Sequence, residues 1–320
     1  HYQQDEVIAF SDKTGDSYEL SKFASKEKSK KYIIFCGVHF MAETADILTD
    51  DDQVVILPDL AAGCSMADMA NLDDVEELFD KISSASSKRI IPITYINSTA
   101  DIKSFVGKNG GLVCTSSNAQ RAIEWAFKRG EQLIFLPDQH LGRNTAYKMG
   151  IGLKDMVLID PLKKELDTSD FLQKKIFLWK GHCSVHMNFS PEHLDMMREK
   201  YPDVKIIVHP ECKFDVVQKA DIAGSTSFII KTIEESPAGT RWAVGTEHHL
   251  VSRLQKKFPD KIITTLAPFT CQCATMYRIS PEKLLQSLSA LASGSVINRI
   301  QVDFDTKKYA KIALERMLEI

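Results

Sequence analysis

Residues 90–97 read IIPITYIN, and this short apolar run followed by polar residues is the pattern that decides the fold. Near-continuous Val, Ile and Leu runs of about four to six residues are typical of parallel strands that are buried on both faces. Amphipathic segments lie between such runs; residues 119–130, for example, have the helical period and end at a glycine. The runs recur at residues 32–35, 54–57, 133–136, 176–179, 206–208, 242–244 and 262–266. The chain is therefore predicted to be an α/β protein.

The chain contains three copies of one unit. In each copy a short polar segment leads through a helix to a cluster of small hydroxyl residues, then to a histidine-bearing turn, and finally to a strand that precedes a cysteine. A last helix is predicted over residues 307–320. The hydroxyl clusters occupy residues 15–17, 114–118 and 224–227, the histidine turns occupy 37–39, 137–140 and 246–248, and the cysteines are Cys64, Cys183 and one of Cys271 and Cys273.

We therefore expect three similar α/β/α three-layer domains, each with a short parallel sheet, around a pseudo-three-fold axis. Equivalent loops at the carboxyl ends of the strands would then face one shared crevice, which is where α/β sheets bind ligands. The last helix is expected to return to the first domain. The expected domains are residues 1–66 with 275–320, residues 67–182 and residues 183–274.

Charge and hydropathy exclude several classes of protein. The 320 residues include 40 basic and 43 acidic side chains, so no overall field attracts nucleic acid or anionic lipid. No apolar run reaches the roughly 18 residues of a membrane helix, and no basic-then-apolar signal opens the chain. Seven cysteines without a Cys-x-x-Cys motif argue against a disulfide framework, a zinc ribbon or a thioredoxin site. We expect a cytoplasmic protein with no nucleic-acid or membrane partner.

The predicted symmetry brings Cys64, Cys183 and one of Cys271 and Cys273 together. Three thiolates with an open fourth position would suit either a 4Fe–4S cluster with one unligated iron or a catalytic zinc ion. Ligation by sulfur alone favours the cluster. The simpler alternative, which we expect for most of the seven cysteines, is a small buried apolar residue.

Polar residues gather at the same place by the same symmetry. Glutamate beside histidine suits general acid–base catalysis, and three helix starts could hold a ligand with several anionic groups. Each hydroxyl loop alone could equally be an ordinary helix cap. His186, three residues after Cys183, is expected near the metal, or else is a surface or core histidine. The gathered residues are Tyr2, Tyr95 with Asn97, His209 with Glu211, and the loop residues Ser17, Ser116, Ser225 and Thr226.

Five segments, in order along the whole chain, resemble quinolinate synthase: FCGVHFMAETA (35–45), AGCSMADM (62–69), YINSTA (95–100), KGHCSVH (180–186) and HPEC (209–212). Residues 135–142 and 271–273 look most like the longer version of the enzyme found in bacilli and relatives. The resemblance implies condensation of iminoaspartate with dihydroxyacetone phosphate to quinolinate, with loss of phosphate and water, in de novo NAD synthesis.

The resemblance also implies a 4Fe–4S cluster whose open iron acts as a Lewis acid. Its ligands fall on Cys64, Cys183 and Cys273. Cys273 is preferred to Cys271 because the family ligand lies three residues before a Met or Lys that opens the next helix, here Met276. In related forms of the family, the counterpart of Cys271 can pair with that of Cys273 when the cluster is lost.

The substrate contacts of the family carry over to Tyr2, Ser17, Tyr95, Asn97, Ser116, His186, His209, Glu211, Ser225 and Thr226. Glu211 and His209 would transfer protons in enolisation and ring closure, with Tyr2 and His186 completing the catalytic set. Two carboxylates and one phosphate in the substrates would match the three helix starts. The family motif His-x-Tyr places its tyrosine on Tyr2, so its first histidine is expected just before His1.

Partners implied by the resemblance are an L-aspartate oxidase that supplies iminoaspartate, and iron–sulfur assembly proteins. Two other interpretations stay open. The chain could be another three-cysteine cluster enzyme of this architecture, such as the diphthamide radical enzymes or the isoprenoid reductase. It could also be a non-catalytic iron or redox sensor that uses Cys271 and Cys273 as its switch.

Overall fold

The structure is a computed structural model, and it describes residues 1–163, 169 and 171–320. The described strands are β1 (Tyr32–Ile34), β2 (Val54–Ile56), β3 (Ile90–Tyr95), β4 (Leu112–Cys114), β5 (Gln132–Leu136), β6 (Met156–Ile159), β7 (Ile176–Trp179), β8 (Lys205–Val208), β9 (Ile222–Ala223), β10 (Arg241–Gly245), β11 (Ile262–Thr265) and β12 (Arg299–Ile300). The described α-helices are α1 (Asp5–Ile8), α2 (Ser17–Ala24), α3 (His39–Leu48), α4 (Leu72–Ala85), α5 (Ala100–Lys108), α6 (Ala119–Phe127), α7 (Gln139–Lys148), α8 (Pro191–Lys200), α9 (Phe214–Lys219), α10 (Thr226–Glu235), α11 (His248–Lys257), α12 (Pro281–Ala292) and α13 (Phe304–Glu319).

These strands form three sheets within the described residues. Their orders are β1-β2-β12, β4-β3-β5-β7-β6 and β11-β10-β8-β9. Every pairing is parallel except that of β2 with β12. The predicted fold class, an α/β protein of three similar domains, is confirmed. Each sheet lies inside one of the expected domains, whose boundaries remain a prediction.

Burial on both faces explains the apolar runs that predicted the strands. Every residue of β3 and β5 is buried because helices cover the second sheet on each side. Phe135 and Trp179 are completely buried there, and each such side chain contributes roughly 2–3 kcal/mol of hydrophobic stabilisation. The indole Nε1 of Trp179 donates to the carbonyl oxygen of Met69 at 2.7 Å.

All eight strands predicted from apolar runs are present, to within a residue or two at their ends. Four further strands were missed. Three of them, β4, β9 and β12, contain only two or three residues. The fourth, β6, is a four-residue run that lies at the edge of the second sheet.

The last helix begins earlier than predicted, at Phe304, because the carboxylate of Asp303 accepts a hydrogen bond from the backbone N–H of Thr306 at 3.0 Å. It packs mainly against α5 and β4 and also contacts α3. A Cβ atom at Gly107 would lie 2.0 Å from the carbonyl oxygen of Tyr309, so this glycine allows the close packing with α5. The helix was expected to return to the first domain, but its largest contacts lie with the second. No helix in the described part of the chain has the length and apolar character needed to cross a bilayer.

Candidate functional site

The three hydroxyl loops meet at the carboxylate of Asp16. Asp16 is the N-cap of α2, and its Oδ2 atom accepts hydrogen bonds from Ser117 Oγ at 3.3 Å and from Ser227 Oγ. Ser117 precedes α6 and Ser227 lies in the first turn of α10. Three helix starts from the three repeated units therefore converge on one point. Ser117 and Ser227 belong to the hydroxyl clusters, although their direct contact with Asp16 was not foreseen.

A chain of hydroxyl groups runs from Tyr2 to His186. The phenol oxygen of Tyr2 lies 3.1 Å from Thr226 Oγ1 and 3.0 Å from Thr246 Oγ1. Thr246 Oγ1 is in turn 3.2 Å from Nε2 of His186. Thr246 was missed as a site residue. Its position at the start of the third histidine-bearing turn was the available signal.

His186, His209 and Glu211 form a buried group at the end of this chain. Oε2 of Glu211 lies 3.1 Å from Nδ1 of His186 and 3.0 Å from Nδ1 of His209. The two imidazole rings stack, with centroids 4.6 Å apart. Glu211 Oε1 is a buried atom without a hydrogen-bond partner in the described part of the chain. It is therefore available to a bound molecule.

The protonation of this group follows from its surroundings. Burial alone raises the pKa of Glu211, but the positive charges of His209 and His186 outweigh it and leave the pKa below its usual value. Burial lowers the pKa of His209, against the opposing charge of Glu211. Nδ1 of His209 lies 3.3 Å from the backbone nitrogen of Glu211 and 3.0 Å from its carboxylate Oε2, and Nε2 lies 3.3 Å from Ser116 Oγ. Because a carboxylate oxygen only accepts, a proton on Nδ1 makes the closer contact a hydrogen bond. Glu211 is therefore ionised, and the imidazoles of His209 and His186 stabilise its charge.

The remaining predicted substrate contacts vary in their surroundings. Tyr95 is buried, and its pKa is raised first by burial and then by the charge of Glu211. Asn97 Oδ1 is buried and has no hydrogen-bond partner in the described residues. Ser225 Oγ caps its own helix by accepting from the N–H of Phe228 at 3.3 Å. Ser17 opens α2, and the described hydrogen bonds include none from its hydroxyl group.

Each candidate metal ligand occupies the same place in its repeat. The N–H of the residue four positions later donates to the cysteine carbonyl oxygen at 3.1 Å, from Asp68 to Cys64, from Met187 to Cys183 and from Tyr277 to Cys273. The residue two positions before each cysteine accepts a second hydrogen bond through its carbonyl oxygen, from the N–H of the first residue of a helix. These bonds run from His39 to Ala62, from Gln139 to Gly181 and from His248 to Cys271. Cys271 is thus the counterpart of Ala62 and Gly181. By this register Cys273, and not Cys271, corresponds to Cys64 and Cys183.

The surroundings of the three thiols suit a cationic group. Burial raises the pKa of Cys64 to about 12, and the neighbouring Cys273 and Glu211 charges raise it further. Burial and the charges of Glu211 and Cys64 raise the pKa of Cys183. Thiolates that repel one another in this way are stabilised by bound iron or zinc. Cys183, His186 and Glu211 also place ligand atoms within 4.8 Å of one another, the one such group found in the described residues.

Two buried carboxylates near this centre were not predicted as site residues. Asp138 and Glu247 are the N-caps of α7 and α11 and are completely buried. Oε1 of Glu247 accepts from the N–H of Cys273 at 3.5 Å, which ties the third histidine turn to the cysteine loop. Both carboxylates lie in histidine turns that the sequence repeat had defined.

Fold and site together define a class: an α/β protein of three repeated domains with hydroxyl, imidazole, carboxylate and thiol groups converging on one central site. A family model described as "Quinolinate synthetase A protein" matches residues 1–319. Proteins named quinolinate synthase are 55% identical in Anoxybacillus flavithermus (319 residues, 99% of this chain and 87% of the relative) and 55% identical in Acidobacterium capsulatum (326 residues, 100% and 87%). The relative in Geobacillus thermodenitrificans is 54% identical over 321 residues, 100% of this chain and 88% of its own. The chain belongs to the quinolinate synthase family and is an enzyme of that type.

Proposed function

We propose that this enzyme makes quinolinate by condensing iminoaspartate with dihydroxyacetone phosphate, with loss of phosphate and water, as a step of NAD biosynthesis. The observation that carries the proposal is the buried Glu211 carboxylate, whose Oε2 lies 3.0 Å from His209 Nδ1 and 3.1 Å from His186 Nδ1 and whose Oε1 has no partner in the described residues. One of its oxygens also lies within 4.8 Å of the Cys183 thiol. Condensation, dehydration and ring closure all need protons moved at carbon, nitrogen and oxygen. A buried acid–base group inside a ring of anion-binding loops suits that chemistry.

The three register-equivalent cysteines, Cys64, Cys183 and Cys273, are proposed to hold a 4Fe–4S cluster. Sulfur-only ligation, one thiol from each repeat and raised pKa values of Cys64 and Cys183 fit such a group. When bound, the cluster supplies a Lewis-acidic iron to substrate oxygen. A single metal ion would instead be held by Cys183, His186 and Glu211. The proposed proton-transfer role requires His186 and Glu211 to be free of metal.

Glu211 is proposed as the general base. Its lowered pKa keeps it ionised at neutral pH, and its Oε1 atom is free to accept a proton. Nε2 of His209 lies 3.3 Å from Ser116 Oγ, so a doubly protonated His209 can donate toward a leaving oxygen held at that loop. The chain from Tyr2 through Thr246 orients His186, whose Nδ1 faces the same carboxylate. These roles make Glu211, His209, His186 and Tyr2 the catalytic set.

The hydroxyl loops are proposed to bind the carboxylates and the phosphate. Ser17, Ser116 and Ser225 lie at or just before the starts of α2, α6 and α10, where backbone N–H groups favour anions. The unpartnered Asn97 Oδ1 is proposed to accept from the substrate nitrogen, with Tyr95 and Thr226 as further substrate contacts. Seven free cysteines suit a reducing cytoplasm, with an L-aspartate oxidase and iron–sulfur assembly proteins as partners.

Anaerobic purification followed by the assay for quinolinate tests the proposal. Glu211→Gln should reduce kcat by about 100-fold or more, as expected for loss of a general base, and leave the visible spectrum of the cluster intact. Glu234→Gln, a surface glutamate paired with Lys257, is the matched control. A cluster-loaded wild type that forms no quinolinate would favour the sensor or another cluster enzyme, and loss of the cluster in Glu211→Gln would make that residue structural.

A further inference from the structure

Four basic side chains, His140, Arg143, His182 and Lys213, gather beside the catalytic group; we call them the basic cluster. His140 and Arg143 lie one turn apart on α7. Nη1 of Arg143 is 3.4 Å from Nδ1 of His140, and its Nη2 donates to Gln139 Oε1 at 3.2 Å. Two members of the cluster are therefore in direct contact.

Backbone contacts bring the other two members to the same helix. The N–H of Gln139 donates to the carbonyl oxygen of Gly181 at 3.1 Å, which places His182 beside the start of α7. On the other side, Asn144 Nδ2 donates to the carbonyl oxygens of Pro210 at 2.8 Å and Cys212 at 2.9 Å. Lys213 follows directly. The basic cluster is thus assembled from both sides of α7. Cys183 directly follows its member His182, and Glu211 lies two residues before its member Lys213.

This cluster has no direct salt bridge to a carboxylate in the described residues, although the charge of Asp138 acts on Arg143 and that of Glu211 acts on His140. Within the described residues, none of its four members forms an ion pair. Asp138, the nearest acid on α7, accepts from the N–H groups of His140 and Leu141 at 2.7 Å, and burial raises its pKa. All four members are buried or half-buried. Arg143 and Lys213 are therefore half-buried cations without a direct counter-ion, which a bound anion would stabilise.

Mutual repulsion within the cluster is visible at its most buried member. The pKa of His140 is lowered to about 3, first by burial and then by the positive charges of Arg143, His182 and Lys213. A neutral His140 can still donate one N–H to an oxyanion. Arg143 offers a planar fork and Lys213 a flexible ammonium group, a combination that matches the several acceptor oxygens of a tetrahedral dianion better than one planar carboxylate.

We infer that the basic cluster is a second anion site, which binds a phosphate-class oxyanion next to the catalytic group. Two sources share this chemistry: inorganic phosphate released by the reaction and the phosphate monoester of an incoming substrate. The choice of a phosphate-class anion rests on the proposed function. The presence of cations without a direct counter-ion is independent of it. The site would hold the anion on its way to or from the hydroxyl loops.

Calorimetric titration of the holoenzyme at low ionic strength, with inorganic phosphate and separately with glycerol 3-phosphate, tests the inference. We expect the Arg143→Gln/Lys213→Gln variant to bind at least one of these anions tenfold or more weakly. An effect on inorganic phosphate alone indicates product release, and an effect on the ester indicates substrate capture. Arg143→Lys keeps the charge without the fork and should give an intermediate loss.

The matched control is Arg129→Gln/Lys231→Gln, which removes the same charge from the surface, where Arg129 stacks on Trp125 and Lys231 pairs with Glu235. This control should bind both anions as the wild type does. Unchanged binding in the Arg143/Lys213 variant, an equal loss in the control, or no binding by the wild type would each overturn the inference. Formation of quinolinate is measured in parallel, so failure of the proposed function is seen separately.

Discussion

Asp16 Oδ2 accepts a hydrogen bond from Ser117 Oγ at 3.3 Å, although the two residues lie 101 positions apart in different repeats. The same oxygen accepts from Ser227 of the third repeat. One carboxylate thus connects all three helix starts around the central site. The three loops that are proposed to bind substrate anions depend on this contact for their relative positions.

Asp16→Asn tests this connection without removing the helix cap, because asparagine caps helices as well as aspartate does. Loss of the charged acceptor should lower the free energy of unfolding by about 1–2 kcal/mol and raise the Michaelis constant. Urea unfolding and steady-state kinetics measure the two effects. Asp303→Asn, at the exposed cap of α13, should change neither by a comparable amount. Equal effects of the two substitutions would mean that Asp16 acts only as a cap.

Thr246 links Tyr2 to His186, and Thr246→Val removes that hydroxyl while nearly keeping the shape. Leaving His186 Nε2 without its partner costs about 1–3 kcal/mol, so kcat should fall by roughly tenfold to 100-fold. Thr246→Ser keeps the hydroxyl and should restore most of the activity. If valine and serine variants behave alike, the hydroxyl chain has no part in orienting His186.

Cys273→Ser and Cys271→Ser form a matched pair for the proposed cluster. The backbone register aligns Cys273 with Cys64 and Cys183, and Cys271 lies buried in the core of the third domain. Cys273→Ser should therefore lose most of its iron and visible absorbance after anaerobic reconstitution, and Cys271→Ser should retain them. If Cys273→Ser retained its iron and absorbance and Cys271→Ser lost them, the cluster ligand would be Cys271.

The convergence of the site was predictable because repeats reveal it without any knowledge of side-chain positions. The turns around Cys64, Cys183 and Cys273 form the same hydrogen bonds because the same spacing occurs three times. Contacts outside the repeat could not be predicted in this way. Asp16, Thr246 and the packing of α13 on α5 each depend on how the domains dock, and short strands such as β9 carry too few residues for a pattern.

Lys103 provides a prediction for pH-dependent stability. Its side chain is completely buried, with its ammonium group hydrogen-bonded to the carbonyl oxygen of Ser98 and 5.5 Å from the ring centroid of Phe40. Burial lowers the pKa of Lys103 from 10.5 to about 8, while the charges of Glu43 and Cys64 oppose this shift. Between these two pH values the unfolded chain binds a proton that the folded chain does not, so stability rises with pH in this window.

Lys103→Met removes this pH dependence. The free energy of unfolding of the wild type minus that of the variant should therefore increase by about 3 kcal/mol from below pH 8 to above pH 10.5. Urea unfolding of the cluster-free protein across this range measures the difference, with Lys108→Met, an exposed lysine of the same helix, as the control. A difference that stays constant with pH for Lys103→Met would mean that the buried ammonium group is fully compensated by its neighbours in the folded protein.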